Sequence, residues 1–234
     1  MLIRLLLVFI STLALAQPTS FNQAKRILPS IYKDNPITFY CGCQYDLTKR
    51  DNMIDRDSCG YEPRNTLTRS GKPNERALRI EWEHVVPAEN FGRQFPCWRE
   101  GHPECVDSKG KPFKGRNCCS KVNPTFRAME GDLMNLVPAI GELNADRSNF
   151  RFGMISDGVK QHGACDFYVD FKERKVQPRK EVRGDIARIY FYFEKTYGMK
   201  ISDSQRKLFE AWDKEDPEDD WEREKRRRTT SSDT

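Results

Sequence analysis

Residues 79–95 read RIEWEHVVPAENFGRQF. The first half alternates, with Ile80 and Trp82 on one side of an extended chain and Glu81 and Glu83 on the other. This is the best strand in the chain, and it ends on an acid beside one of only three histidines, His84. Neighbours on an ideal strand face opposite sides. Glu83 and His84 therefore serve one site only if the strand ends or kinks between them. Val85-Val86-Pro87 favours that outcome, because Pro87 restricts Val86 and cannot continue a ladder. Taken alone, a Glu-His pair at a strand end is more often structural than catalytic.

A second segment, GDLMNLVPAIGELNADRSNF (residues 131–150), repeats the VPA that follows His84. With Met129 and Glu130 before it, the segment supplies Glu130, Asp132, Asn135, Glu142, Asn144, Asp146 and Arg147. Pro138 suits a first helical position, and Ile140, Leu143 and Arg147 follow at steps of three and four, so a helix is expected over about 137–147. Asn144 on that helix is a candidate second oxygen donor beside Glu83. Asn135, ahead of the helix, reads as a cap or turn residue.

Working outward, the chain of 234 residues opens with MLIRLLLVFISTLALA, one basic residue and an apolar run closed by Ala14-Leu15-Ala16. This is the layout of a secretory signal over residues 1–16, too short for a membrane anchor. Removing it takes the formal charge from +5 to +4, since Arg4 is its only charged side chain. A mildly basic surface dense in both signs suits an anionic partner without proving one. Eight cysteines follow: Cys41, Cys43, Cys59, Cys97, Cys105, Cys118, Cys119 and Cys165. An even number in an exported chain reads as a disulfide framework; zinc is the weaker alternative, as no Cys-x2-Cys knuckle occurs.

Along the chain, FNQAKRILPSIYK (21–33) has helical spacing with a break or stop at Pro29, and ITFYCGCQY (37–45) looks extended. Residues 97–123 form a long irregular stretch holding four cysteines. PTFRAMEGDLMN starts as a helix and ACDFYVDFKER alternates as a strand. RGDIARIYFYFEKTYG is an amphipathic helix burying Ile186, Ile189, Tyr190 and Phe193 and stopped by Gly198. SDSQRKLFEAWDKE is another, capped by Ser202 or Ser204. Residues 213–234 read as a charged, mobile tail.

The blocks FYCGCQY, SCGYEPR, RIEWEHVVPAENFG, GDLMNLVPAIGELNADRSNF, VDFKERKVQP and GDIARIYFYF, in this order from about residue 37 to 212, resemble the bacterial endonuclease I family. The resemblance implies a single mixed, helix-rich α+β domain over 17–212, built on a ββα-metal (His-Me finger) core and stapled by disulfides. It implies a secreted or periplasmic endonuclease that hydrolyses double- and single-stranded DNA, and RNA, with little sequence preference, leaving 5′-phosphate ends. Mg2+ is the implied cofactor, with Mn2+ or Ca2+ as alternatives; the expected state is a monomer without membrane contact.

Carried over by position, His84 resembles the general base, Glu83 the metal-binding carboxylate, Asn144 the metal-binding amide and Glu130 a supporting carboxylate. KGRNCC places Arg116 three residues before Cys119, where the family has its phosphate-binding arginine; the preceding loop is longer here, and Arg99 or Arg147 are alternatives. The family continues past the last helix with two further cysteines, whereas this chain has Arg223 near the first of those places and adds Cys105 and Cys118. That departure implies Cys97–Cys119 as the family-like bridge and Cys105–Cys118 as a new one, with Cys59 and Cys165 each bonded to one of Cys41 and Cys43. Two rivals remain at this point: a metal-free ribonuclease using His102 or His162, and a binding module without catalysis.

Overall fold

The computed structural model describes residues 18–48, 53–156 and 158–230; the expected signal segment lies outside them. Its centre is a two-stranded antiparallel sheet of β1 (Ile80–His84) and β2 (Leu136–Ile140), in register from Ile80 opposite Ile140 to His84 opposite Leu136. Gly141 N–H donates to Arg79 O and Val85 N–H to Asn135 O, so odd-numbered positions of β1 carry the ladder bonds. Trp82 opposite Pro138 is therefore a non-bonded pair, and proline costs this ladder nothing. The carbonyl of Pro138 turns outward and accepts from Phe39 N–H at 2.8 Å.

This corrects the helix expected from residue 137. VPA is strand, and the helix α6 starts only at Gly141 and runs Gly141–Arg147. All five residues of β2 are buried, and the pairing with β1 overrides the helical spacing. A Cβ at Gly141 would stand 2.8 Å from Arg76 O, so only glycine allows this close start.

Helix α1 (Phe21–Tyr32) covers the Trp82/His84 face of β1. Ser20 caps it by accepting from Gln23 N–H. It runs through Pro29 without the expected stop, because Ile31 and Tyr32 beyond the proline are buried and hold the last turn in place. Residues 37–45 are not extended either: Thr38 N–H donates to Cys43 O and Gly42 N–H to Thr38 O, folding the segment into a turn.

Short helices α2 (Ala88–Gly92), α3 (Pro96–Arg99), α4 (Arg116–Val122) and α5 (Pro124–Gly131) follow β1. Beyond α6 come β3 (Arg151–Phe152), β4 (Tyr168–Asp170) and β5 (Lys175–Gln177), a small sheet of order β3-β5-β4. Helix α7 (Arg183–Tyr197) buries Ile186, Ile189, Tyr190 and Phe193, as its periodicity predicts, and Gly198 closes it at φ +66°. Each such side chain contributes about 1.5–3 kcal/mol when fully buried. Helix α8 (Asp203–Glu215) is capped by Ser202 and packs Phe209 and Trp212 on α7.

The described part of the C-terminal stretch, read from the sequence as a charged, mobile tail, is helical. Helix α9 (Asp220–Thr230) lies on α1: Trp221 meets the Tyr32 ring at 5.4 Å, Lys225 Nζ donates to Met134 O at 3.0 Å, and Arg228 donates to Ile31 O at 2.7 Å. Its high charge is absorbed by such contacts; Arg188 of α7 joins Asp213 of α8 and Glu222 of α9. Bridges Cys41–Cys165, Cys43–Cys59, Cys97–Cys119 and Cys105–Cys118 realise the implied pairing and leave no free cysteine among the described residues.

Asn135 is wholly buried, with Oδ1 accepting from Val86 N–H at 2.7 Å and Nδ2 donating to Val86 O at 3.0 Å. An Asn135→Ala variant strands both backbone groups and should lose about 2–4 kcal/mol of stability in urea unfolding under oxidising conditions. A loss below about 1 kcal/mol would contradict this role.

Candidate active site

Strand β1 ends at His84, and the next residues bend. No kink separates Glu83 from His84, since pairing continues through His84 opposite Leu136. The two side chains keep to opposite faces: His84 packs against the Phe21 ring with centroids 4.6 Å apart and planes tilted by 50°, and Glu83 meets Tyr40 and Arg147. Both nevertheless line one cavity of about 440 Å³ that wraps the strand end, together with Phe21, Lys25, Arg116, Asn144 and Arg147. The stop of the strand, rather than a break within the pair, brings them together.

His84 Nε2 lies 2.8 Å from Glu130 O. A carbonyl only accepts, so Nε2 carries the proton and Nδ1 is left as the lone-pair nitrogen. Burial lowers the His84 pKa to about 3, aided by the positive charges of Arg116 and Arg147 and opposed by the Glu130 carbonyl. The imidazole is thus a neutral base of fixed tautomer.

Tyr40 OH donates to Glu83 Oε1 at 3.3 Å, and Arg147 Nε lies 3.5 Å from the same oxygen; Oε2 has neither contact. Burial pushes Glu83 up to about 7, while Arg147 and the Tyr40 hydroxyl pull it down. Arg147 is itself wholly buried, donates to Val85 O at 2.5 Å and to Ser148 O at 3.0 Å, and lies over the Phe152 ring. It therefore fixes both the carboxylate and the turn that ends β1.

Asn144 projects from α6. Its Nδ2 donates to Glu81 Oε2 at 3.0 Å, which points the Oδ1 acceptor away from that partner. The opposite face of α6 is anchored. Glu142 accepts from Tyr61 OH at 2.7 Å and from the backbone N–H groups of Arg64 and Asn65, and Asp146 takes a two-pronged contact from Arg64. Burial opposes the charge on Glu142, yet His162, Tyr61 and the backbone donors hold its pKa down at about 2.

Arg116 begins α4 and reaches the cavity rim, where Nε meets Glu130 Oε1 at 2.5 Å and the guanidinium stands 5.6 Å from the Phe21 ring. Ser120 donates to the other Glu130 oxygen. Glu130 thus orients His84 through its carbonyl and Arg116 through its carboxylate. The two vicinal bridges, Cys105–Cys118 and Cys97–Cys119, fasten the same helix one turn further on.

Glu83, His84, Arg116 and Asn144 are therefore brought to one cavity, with Glu130 behind two of them. Arg99 is not part of it; its contacts are Arg93 O and Glu100. His102 is exposed elsewhere, and His162 is buried between Glu142 and Asp146 at 3.6 and 3.5 Å. Of the second groups that a metal-free mechanism needs, neither histidine is near His84, whereas a lysine, Lys25, lines the same cavity. Tyr40 and Glu81 were missed as site residues; the one sequence signal for Tyr40 was its place in FYCGCQY.

Known proteins resemble this chain over most of its length. The sequence model of the Endonuclease I family matches residues 20–233. An extracellular deoxyribonuclease of Aeromonas hydrophila is 48% identical over 210 residues, covering 89% of this chain and 82% of that protein. A periplasmic deoxyribonuclease of the same organism is 47% identical, covering 89% and 80%. Endonuclease-1 of Buchnera aphidicola subsp. Acyrthosiphon pisum is 43% identical over 206 residues, covering 88% and 74%.

The His84 shift makes a pH prediction. Its folded pKa of about 3 lies below the ordinary 6.5, so the unfolded chain binds the proton more readily between those values. That contribution to stability is present above pH 6.5 and is lost as pH falls towards 3, by up to about 5 kcal/mol. Glu83, raised to about 7, acts in the opposite sense, gaining stability as pH falls through 7. Urea unfolding at neutral pH and near pH 4 should show a smaller acid loss in His84→Gln than in the wild type; equal losses would contradict the buried neutral imidazole.

Proposed function

This chain belongs to the endonuclease I family, and from that premise we propose that the cavity at the end of β1 is the hydrolytic centre of a metal-dependent deoxyribonuclease. The protein is a secreted or periplasmic nuclease. Its substrate is DNA, double- or single-stranded, with RNA as a further substrate, and it acts as a monomer. No described helix is long and apolar enough to cross a membrane. The observation that carries the reading is one cavity presenting a buried carboxylate, a neutral imidazole of fixed tautomer, an amide oxygen and an arginine. β1, β2 and α6 then form the ββα-metal unit.

The donor set fits a hard cation such as Mg2+, with Mn2+ or Ca2+ as alternatives. Among the described residues no three His, Cys, Asp or Glu side chains form a metal cluster. Mg2+ needs no such cage, because it keeps several waters and takes one or two protein oxygens. Glu83 Oε2 and Asn144 Oδ1 would be those oxygens, each group being held by partners on its other atom. The ion supplies positive charge to an oxygen of the scissile phosphate.

Every other part is protein. His84 Nδ1 takes a proton from the water that attacks phosphorus. The anionic phosphate beside the ring favours the imidazolium and raises the pKa from its value in the substrate-free cavity. Arg116, half-exposed at the rim, faces the charge that develops on the pentacovalent phosphorus. The bond to the 3′ oxygen breaks, water protonates it, and the phosphate stays on the 5′ side. Contacts made to the backbone rather than to base edges give little sequence preference and steep salt dependence.

Incubation of supercoiled plasmid with protein should give nicking that Mg2+ supports and EDTA abolishes; cutting that ignores EDTA would contradict the metal. His84→Ala should slow nicking by about 100- to 10,000-fold and leave DNA binding in place. Near wild-type cutting would remove His84 from its role. Dithiothreitol should depress cutting, because α4 and Arg116 are held by two bridges; full activity after verified reduction would show the bridges to be dispensable.

A further inference from the structure

Between α3 and α4 the chain forms an arm that the chemistry above does not use. Val106 pairs with Pro112, Asp107 N–H donates to Lys111 O at 2.9 Å, and Phe113 N–H donates to Cys105 O at 2.8 Å, making a small hairpin. Asp107 spends its carboxylate on the tip, accepting from the backbone of Lys109 and Lys111. Gly110 sits there at φ +74°, which a β-carbon would strain.

Lys109, Lys111 and Lys114 are exposed. None makes a side-chain hydrogen bond or ion pair to another described residue, so all three ammonium groups are open to a partner, and the hairpin gathers them within six residues. The arm leads straight into the site. Lys114 is two residues before Arg116, so their Cα atoms are within about 7 Å. Cys105–Cys118, with Cα atoms 5.4 Å apart, pins the other strand of the hairpin to α4 just past Arg116. Lys114 also lines a surface slot of about 550 Å³ with Glu100, His102, Pro103, Pro112 and Phe113. Cations combined with aromatic faces are the means by which single strands are held.

We propose that this stapled arm is a second nucleic-acid contact, in which Lys109, Lys111 and Lys114 bind the phosphates of a single-stranded segment flanking the cut. It rests on the nuclease reading above and adds the place where the flanking strand runs. A flexible lysine loop would lose entropy on binding; a hairpin bonded at both ends is ordered beforehand, so less is lost.

The test is binding of a fluorescein-labelled single-stranded oligonucleotide, followed by anisotropy in EDTA across a salt series, so that cutting plays no part. Three phosphate contacts contribute about 2 to the slope of log Kd against log salt for a single strand. The triple variant Lys109→Gln, Lys111→Gln, Lys114→Gln should lose that amount, while the triple Lys→Arg variant keeps it. Melting curves would confirm that the Gln variant folds. A Gln variant with the wild-type slope overturns the arm, even if the wild type nicks plasmid. A wild type that neither binds the strand nor nicks plasmid overturns the nuclease reading and the arm with it.

Discussion

The buried clamp on the turn after β1 is the constraint on which the site depends. Asn135 holds both backbone groups of Val86, and Arg147 holds the carbonyl of Val85. These groups lie where the ladder has ended, and without partners they would be orphaned in the core. Because the clamp stops the strand immediately after His84, two side chains on opposite faces reach the same cavity. A strand continued by two residues would leave Glu83 and His84 divided by the sheet.

The electrostatics follow from that burial. Arg147 serves the clamp and Glu83 at once, so one wholly buried cation, offset by one carboxylate, fixes both the backbone and that carboxylate. Glu130 likewise divides its two functions between carbonyl and carboxylate, tying His84 to Arg116. The polar groups of the cavity are held mostly by groups behind them, which leaves Nδ1 of His84, Oε2 of Glu83 and Oδ1 of Asn144 without the partners that hold their other atoms. The anchoring of Glu142 and Asp146 on the far side of α6 keeps Asn144 in place, since two residues of helix turn a side chain by about 200°.

Much of this was legible in the sequence, and the failures have physical causes. Strict alternation identified β1, and the 3.6-residue stripe identified α7. The bridges followed from the family resemblance, as eight cysteines alone allow about 105 pairings. Pro138 misled because proline suits a helix start as well as a non-bonded edge position, and only the partner strand distinguishes the two. Pro29 and the 37–45 turn went wrong for a related reason: local breakers and β-branched runs were overruled by packing that no short window contains. Helix α9 was invisible because what places it is distant: most of its charges pair locally, but Arg228 reaches Asp34 and Ile31 and Lys225 reaches Met134, contacts that no local window contains. At the site, Glu83, His84 and Asn144 were singled out from motif and chemistry, and the fold brings them to one cavity, whereas Tyr40 reaches Glu83 across a separation of 43 residues and carried no chemical signal of its own.

The claim that Glu83 and Asn144 hold the ion while His84 acts only on water separates most cleanly in a binding measurement. Calorimetric titration of Mn2+ into the wild type, Glu83→Gln, Asn144→Ala and His84→Ala at neutral pH should find one site in the wild type. The same site should persist in His84→Ala, and the other two variants should bind at least about tenfold more weakly. Undiminished binding by Glu83→Gln and Asn144→Ala, or a loss in His84→Ala as large as theirs, would contradict the division of roles.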